Sequence, residues 1–600
     1  MVATNPSGNE VSNADPWVPI LDGIVAGLTS ALAALGVDLS PEAVRDALNS
    51  EGGPEGDVAY PAHRAAAKVR QRPEEFAARI ATAFPAHPLI KTTRSKGAYV
   101  NFLVEDRVLI SATLGPALSL GERWGSGEPS GAPASVEHTS ANPTGPFHIG
   151  RVRNSIIGDT FARILRAAGT PVTTQYYVDD MGRQAATITW IWAKPREAWP
   201  AAVREAVDGH EVPGEKPDHY RGRPYPAVSA FLKDHPEARE ELARLMAEVE
   251  HGTPPPLHRE LAQSVLDGML ASLARLGIRF DEFVWESDYV RNGSVAKVLE
   301  RLRSAPHAVR EENGAWAIDT AGYGLPKDSD RVVVERGDGT SLYVTRDIAF
   351  HLEKFARFAR VIDVLGADHL LHARTLDALL AEVGEGRRPE FVLYAYIHAP
   401  GGGKMSSRGG TAVFLDDLLA EAVERARREV LARRQDLPPE EIDRIAEAVA
   451  TGAVRYHVVR VAPDKPVEFR WEDALSFEGR SGPFLQYSYA RASSVLRKSG
   501  AEAGPFPFDP ARLTDPEEAA LVRVLSRFPR TVAYAARTTH VHAVAGYAHD
   551  VADQFNRFYH AVPVLHSETE RASRIALVAA TRQTLGNALD LLGVPRLETM

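Results

Sequence analysis

Two glycine-flanked stretches carry side chains that could handle a polyphosphate. Residues 142–151 read NPTGPFHIGR, and residues 399–412 read APGGGKMSSRGGTA. In the first, His148 could donate a hydrogen bond to a phosphate oxygen. Gly150 has no side chain, so a flat base could approach its backbone closely. A helix beginning at Ile149–Gly150 would add free N–H groups and the positive end of its dipole. In the second, Lys404 and Arg408 supply two cations, and Ser406 and Ser407 supply hydroxyl donors. Glycines on both sides would let such a loop close over a polyphosphate and stabilise charge developing in nucleotidyl transfer. Each stretch also has a plain reading: a Pro-containing turn with a capping histidine, and a flexible surface hairpin.

These residues need elements to position them. SVEHT before the first stretch reads as a strand, RVRNSIIGDTFARILRAAG after it as an amphipathic helix, and PVTTQYYVD as a second strand. This is a βαβ unit and predicts a parallel sheet. Residues 190–265 are Pro-rich and charged and read as an insertion with helical segments. Strand-like material returns in DRVVVERGDGTSLYVTRDIAF and VIDVLGADHLLH. After about residue 415 the pattern is helical to the end. At the other end, residues 17–50 and 56–85 have helical periodicity, GAYVNFLV (97–104) reads as a strand, and the Gly/Pro/Ser-rich 121–134 reads as a linker. The expected architecture is multidomain: a small α+β N-terminal domain (1–120), an α/β parallel-sheet domain (121–478) with its helical insertion, and an all-α C-terminal bundle (479–600).

Composition sets the limits. A chain of 600 residues exceeds one ordinary domain, and 44% hydrophobic with 25% charged residues is a globular balance. There is no cysteine, which excludes disulfides, a thiol nucleophile and cysteine-ligated zinc. The 20 histidines show no ligand spacing, so no metal site is expected. A net charge of −10 argues against indiscriminate nucleic-acid binding, though not against one structured RNA met by local patches. The basic runs RAAAKVRQR and ERARREVLARR read first as solvated helix faces. No uninterrupted apolar run of spanning length and no secretory leader is evident, so no membrane partner and a cytoplasmic location are expected.

HIGx after a first strand and KMSxx far downstream resemble the class I aminoacyl-tRNA synthetases. SANPTGPFHIG, YYVDDMGRQ, SLYVTRDIAF, VLGADHLLH, KMSSRGGT, GPFLQYSYARASSVLR and the ending LDLLGVPRLETM, in this order, resemble the arginyl-tRNA synthetase family within that class. The resemblance implies a Rossmann-like catalytic domain, an N-terminal domain that meets the tRNA elbow and a helical, DALR-type anticodon-binding domain. It implies ATP with Mg2+, without zinc, and activation of L-arginine to arginyl-adenylate. The arginyl group then passes to the terminal ribose of tRNA(Arg). A monomer is expected. Two other readings stay open: a paralogue of the same fold serving a specialised pathway, and a non-catalytic tRNA-binding or regulatory protein.

The resemblance also carries residues. A guanidinium is planar, always charged and has five donors, so a selective site needs carboxylates and flat partners. Glu137 and Asp347 match the family's guanidinium partners, Tyr343 a wall of the pocket and Asn142 a contact to the amino-acid end. His369 stands where some relatives carry a glutamine. Asp180 and Gln184 match a motif bordering the site, and Asp180 could instead cap the following helix. His148, Gly150 and Arg151, with Lys404, Met405, Ser406 and Ser407, match the ATP-binding segments, and His148, Gly150, Lys404 and Arg408 are the expected catalytic residues. Tyr99 and Asn101 match positions meeting the tRNA D-loop, and Phe484, Tyr487 and Tyr559 are candidate anticodon platforms. Two departures stand out. HIGR replaces HIGH, and Ser407 stands where KMSK has its second lysine, while Gly145 stands where relatives lacking that lysine often carry one. Arg151, Arg153, Lys404 and Arg408 are the available substitutes, and losing one preorganised donor costs on the order of 10²–10³ in rate.

Overall fold

The computed structural model describes residues 15–49, 55–208, 214–326, 330–398 and 414–600. The expected βαβ unit is present. Strand β4 (Ala134–Glu137) runs parallel to β5 (Val172–Val178), with the helix Val152–Ala167 between them. Two further crossovers add β6 (Glu282–Trp285) beside β5 and β10 (Arg360–Gly366) beside β4, and β11 (Glu390–Tyr394) closes the other edge. The result is a five-stranded parallel sheet in the order β11-β10-β4-β5-β6. Ligands of such sheets bind beyond the carboxyl ends of the strands, and here those ends carry Glu137 and the turn leading to His148.

Three expectations of local structure are corrected. The stretch RVVVE forms β9 (Arg331–Glu335) in a separate antiparallel sheet with β7 (Ala308–Arg310) and β8 (Trp316–Asp319), not in the main sheet. SLY is not a strand entering a helix; the helix begins at Tyr343 itself and runs to Arg357. The 121–134 stretch is not a free linker. Trp124 is 1% exposed, and its ring nitrogen donates to Thr584 Oγ1 at 3.1 Å.

The N-terminal residues fold as a three-stranded antiparallel sheet, β1 (Val58–Pro61), β3 (Tyr99–Val104) and β2 (Ile90–Lys96) in that order, backed by helices. Strand β1 interrupts the stretch read as wholly helical. The helix Trp17–Ala34 is long and apolar enough to cross a membrane by length and composition, contrary to the expectation that no run of spanning length is present. Its face of Ile20, Ile24, Leu28 and Leu32 is buried in the core.

The C-terminal helices do not form a detached bundle. Arg523 donates to Asp57 at 2.8 Å and to Asp106 at 2.7 Å, and Arg530 donates to Asp15 at 2.9 Å. At the centre Arg455 is fully buried on the helix Pro439–Val459. It donates to Leu592 O at 2.7 Å, Leu276 O at 2.8 Å and Asp159 Oδ2 at 2.6 Å. The chain turns away beneath that guanidinium at Gly593, with φ +65°. A Cβ there would lie 2.2 Å from the Arg455 Cζ, so any other residue would have to displace the guanidinium from its partners as well as adopt a positive φ. One hydrophobic core runs through all three regions.

Candidate active site

The site is built around two strand neighbours. Glu137 ends β4, and Asp363 is its register partner on β10. Carboxylates facing each other across a buried sheet repel unless a cation separates them. Lys354 is that cation. Its side chain is fully buried, and its Nζ lies 2.5 Å from Glu137 Oε2 and 2.7 Å from Asp363 Oδ1.

Lys354 belongs to the helix Tyr343–Arg357, which presents Tyr343, Asp347 and His351 at four-residue intervals along one face. His351 lies between two carboxylates, with Nδ1 3.0 Å from Asp347 Oδ1 and Nε2 2.7 Å from Asp363 Oδ2. Burial and the Lys354 ammonium disfavour its charged form, but the two carboxylates outweigh them and push it up to about 10. Asp347 also receives His372 Nε2 at 2.7 Å. Burial alone would raise the Asp347 carboxyl; His351 and His372 reverse this and hold it far below the usual carboxylate range. Tyr343 is 60% exposed and leans on His372, with ring centroids 5.2 Å apart. Thus Glu137 and Asp347, 210 positions apart, join one chain of contacts: Glu137–Lys354–Asp363–His351–Asp347–His372.

The loop after β4 is strained. Thr139 and Ser140 have φ of 74° and 38°, values costly for residues with a Cβ and common at functional sites. The turn lets Ser140 Oγ donate to Glu137 Oε1 at 2.9 Å while accepting the Tyr177 N–H at 3.1 Å. Asn142 follows, with Nδ2 3.5 Å from Gln184 Oε1.

His148 caps the turn. Its Nδ1 accepts the Gly150 N–H at 2.9 Å, and its carbonyl accepts the Arg151 N–H at 3.0 Å. The Gly150 and Arg151 N–H groups, at the helix start expected to offer free donors, are therefore taken locally. Arg151 is exposed, and its charge acts on His369, Tyr394 and Tyr396. Arg153, one residue pair further on, is not an available cation. It is fully buried and donates to the carbonyls of Ala395, Lys465 (2.6 Å) and Ala462 (2.9 Å). Lys404, Met405, Ser406, Ser407 and Arg408 lie outside the described residues. The chain beyond them returns to the His148 turn: Leu415 N–H donates to Phe147 O at 2.8 Å, and Phe414 bridges His148.

The insertion braces this junction. Gly222 lies so close to Gly145 that a Cβ on Gly222 would sit 2.4 Å from the Gly145 Cα. Lys216 and His219 meet Asp416 Oδ2 at 2.7 and 2.9 Å. Asp218, His219 and Asp416 have ligand-type atoms close enough together for a metal ion. Lys216 already balances Asp416, so the cluster works as an ion-paired clamp.

Other expected residues fall variously. His369 is half-exposed and only 3.9 Å from Asp368; His372, not His369, touches Asp347. Asp180 is buried and does not cap the helix that follows it. Its carboxylate accepts Ser287 N and Oγ at 3.0 and 2.7 Å, while Asp179 accepts Gly182 N at 2.8 Å. Tyr99 is 46% exposed, but Asn101 beside it is 6% exposed, so the pair does not share an open face. Tyr487 and Tyr559 converge on Arg491, whose guanidinium lies 4.7 and 5.1 Å from their ring centres. Both line a cleft of about 690 Å³ closed by the C-terminal Glu598, Thr599 and Met600. Phe484 does not; it packs on His549 and the core. Composition and spacing missed His351, Lys354, Asp363 and His372. For His351 and Lys354 the available signal was the row of ionisable residues along the helix Tyr343–Arg357; Asp363 on β10 and His372 on the helix Leu370–Glu382 gave none.

The chain is similar to known proteins over most of its length. The model for the class I tRNA synthetase (R) catalytic domain matches residues 131–471, and that for the DALR anticodon binding domain matches 485–600. The arginine–tRNA ligase of Methanocella arvoryzae is 42% identical over 90% of this chain and 92% of its own. That of Methanothermobacter thermautotrophicus is 41% identical over 96% and 98%. The solved Thermus thermophilus arginyl-tRNA synthetase superposes with a TM-score of 0.79 at 29% identity, covering 96% of this chain and 99% of that one.

Proposed function

The chain belongs to the arginine–tRNA ligase family of class I synthetases, and from that premise we propose how its residues divide the work. The reaction is ATP-dependent activation of arginine followed by transfer to tRNA. The readings of a specialised paralogue or a non-catalytic RNA binder have nothing specific in their favour. In the first step the arginine carboxylate attacks the α-phosphorus of ATP, and pyrophosphate leaves. In the second a hydroxyl of the terminal ribose attacks the adenylate carbonyl, and AMP leaves. Mg2+ enters with ATP as part of the substrate.

Glu137 and Asp347 hold the guanidinium, Tyr343 covers it, and Asn142 meets the amino-acid end. One observation carries this reading: the two carboxylates share a buried ion network at the carboxyl end of the sheet, beside an exposed tyrosine. His148, Gly150 and Arg151 face the nucleotide, and Lys404 or Arg408 supplies the cation that Ser407 does not. Residues 1–120 and 479–600 serve tRNA, the first through the surface around Tyr99, the second through the Tyr487–Arg491–Tyr559 cleft. The protein works as a cytoplasmic monomer.

The test is ATP–pyrophosphate exchange with arginine, with and without tRNA. Arginine should support exchange while lysine and citrulline fail. Lys404→Ala or Arg408→Ala should slow exchange by about 10²–10³ with little change in ATP affinity, because the charge they meet develops only in the transition state. Parental exchange in both variants would remove the loop from catalysis and leave Arg151 as the remaining cation, since Arg153 is buried. Tyr487→Ala should weaken tRNA binding by roughly 1–3 kcal/mol if its ring stacks on a base. A filter-binding titration checks this, and unchanged affinity would move the contact out of the cleft.

A further inference from the structure

Glu137 presents an unusual problem for a residue that must attract a cation. It is already paired, through Oε2, with a lysine of its own chain. If arginine were meant simply to neutralise a bare carboxylate, Lys354 would be a competitor and a cost. The geometry gives it another role. Lys354 sits between Glu137 and Asp363, with its Nζ also over the Phe350 ring at 4.0 Å from the ring centre. Ser140 holds the other oxygen, Oε1. Both oxygens of Glu137 are therefore fixed before any substrate arrives.

We propose that Lys354 is a positioning residue for arginine: its buried ammonium keeps Glu137 as an aligned carboxylate, and through Asp363 and His351 it ties that carboxylate to Asp347. This rests on the reading that Glu137 and Asp347 hold the guanidinium. A fork of five donors is recognised by oxygens set at fixed positions, whereas a point charge such as the lysine substrate's ammonium gains little from that alignment. Lys354 and His351 are interleaved with Glu137, Asp363 and Asp347, so two cations separate the three carboxylates while the site is empty.

The groups facing Glu137 are Lys354, Asp363, Asp347 and the Ser140 hydroxyl. Those facing Lys354 are Glu137, Asp363, His351 and the Phe350 ring. Tyr289, which donates to Glu353 at 2.7 Å, also senses Glu137. Burial pushes the Glu137 carboxyl up, and Lys354 opposes the rise. Without the ammonium only the Ser140 hydroxyl remains against burial and the neighbouring carboxylates, and a buried carboxyl without a cation takes up a proton. Arginine would then have to displace that proton to bind. The sign follows: lowering pH favours the protonated, non-binding form, so the variant's arginine KM should fall as pH rises, whereas the parent's stays level.

The experiment measures arginine KM and kcat from pH 6 to 9 for the parent, Lys354→Met and Glu137→Gln. In Lys354→Met the KM should rise by about tenfold or more at the acid end and recover by about tenfold per pH unit, the slope of one displaced proton. The kcat should move far less. A variant that merely loosened the fold would lower both constants' quality without that slope. If Lys354→Met does not fold, Lys354→Met/Asp363→Asn removes one cation and one anion together and leaves Glu137 equally unpaired; the same slope is expected. A level KM in the folded variant, with Glu137→Gln still raising KM, would overturn the role of Lys354 alone. A level KM in Glu137→Gln would overturn the arginine-site reading and the proposal with it.

Discussion

Asp347→Asn should weaken arginine binding by about 2–5 kcal/mol, the range for truncating one member of a desolvated charge pair. The substitution keeps shape and removes charge. His351 and His372 now converge on a neutral amide instead of a carboxylate. The guanidinium loses its ionic partner and meets two imidazoles in its place. Because the contact forms on binding and persists through the reaction, the loss should appear in arginine affinity and KM, with ATP and tRNA affinities unchanged. Calorimetric titration of arginine reads it directly. Unchanged arginine affinity would remove Asp347 from the site.

Glu137 and Asp347 were legible in the sequence only because a resemblance supplied their roles; a lone carboxylate at a strand end looks the same whether it binds substrate or an ion-pair partner. The parallel βαβ unit was legible from periodicity alone, since strand, turn and helix are local. The Lys354 network was not. Its members come from β4, β10 and two helices, and the register that places Asp363 opposite Glu137 is a tertiary fact. Arg153 shows the opposite error. Read along the chain it is a spare cation near HIGR, but the helix turns it inward onto three carbonyls. The 121–134 stretch misled for a related reason: Gly, Pro and Ser report local conformational freedom, while the docking of Trp124 depends on a helix more than 400 residues away.

Arg455→Met should destabilise the folded chain by about 3–5 kcal/mol, the usual result of removing one partner from a buried ion pair. The methionine fills much of the volume, so the loss is chiefly polar. Leu592 O and Leu276 O lose their donor in the interior, and Asp159 keeps only Arg163, at 2.8 Å. An unsatisfied buried carbonyl costs about 1–3 kcal/mol by itself. Denaturant unfolding of parent and variant measures the difference. A change below about 1 kcal/mol would mean that water or rearrangement replaces the guanidinium, and the junction would not be a stabilising element.

That junction also bears on how such a chain can be recombined. Arg455 comes from one side of any cut drawn near residue 479, and Leu592 and Gly593 come from the other. A hybrid that borrowed the C-terminal helices from a distant relative would inherit a left-handed glycine shaped to a guanidinium the recipient must also possess. The same holds for Trp124 and Thr584, and for Arg523 with Asp57. Crossovers near residue 479 are thus confined to parents that match at several remote positions at once, and the C-terminal helices are not an exchangeable cassette.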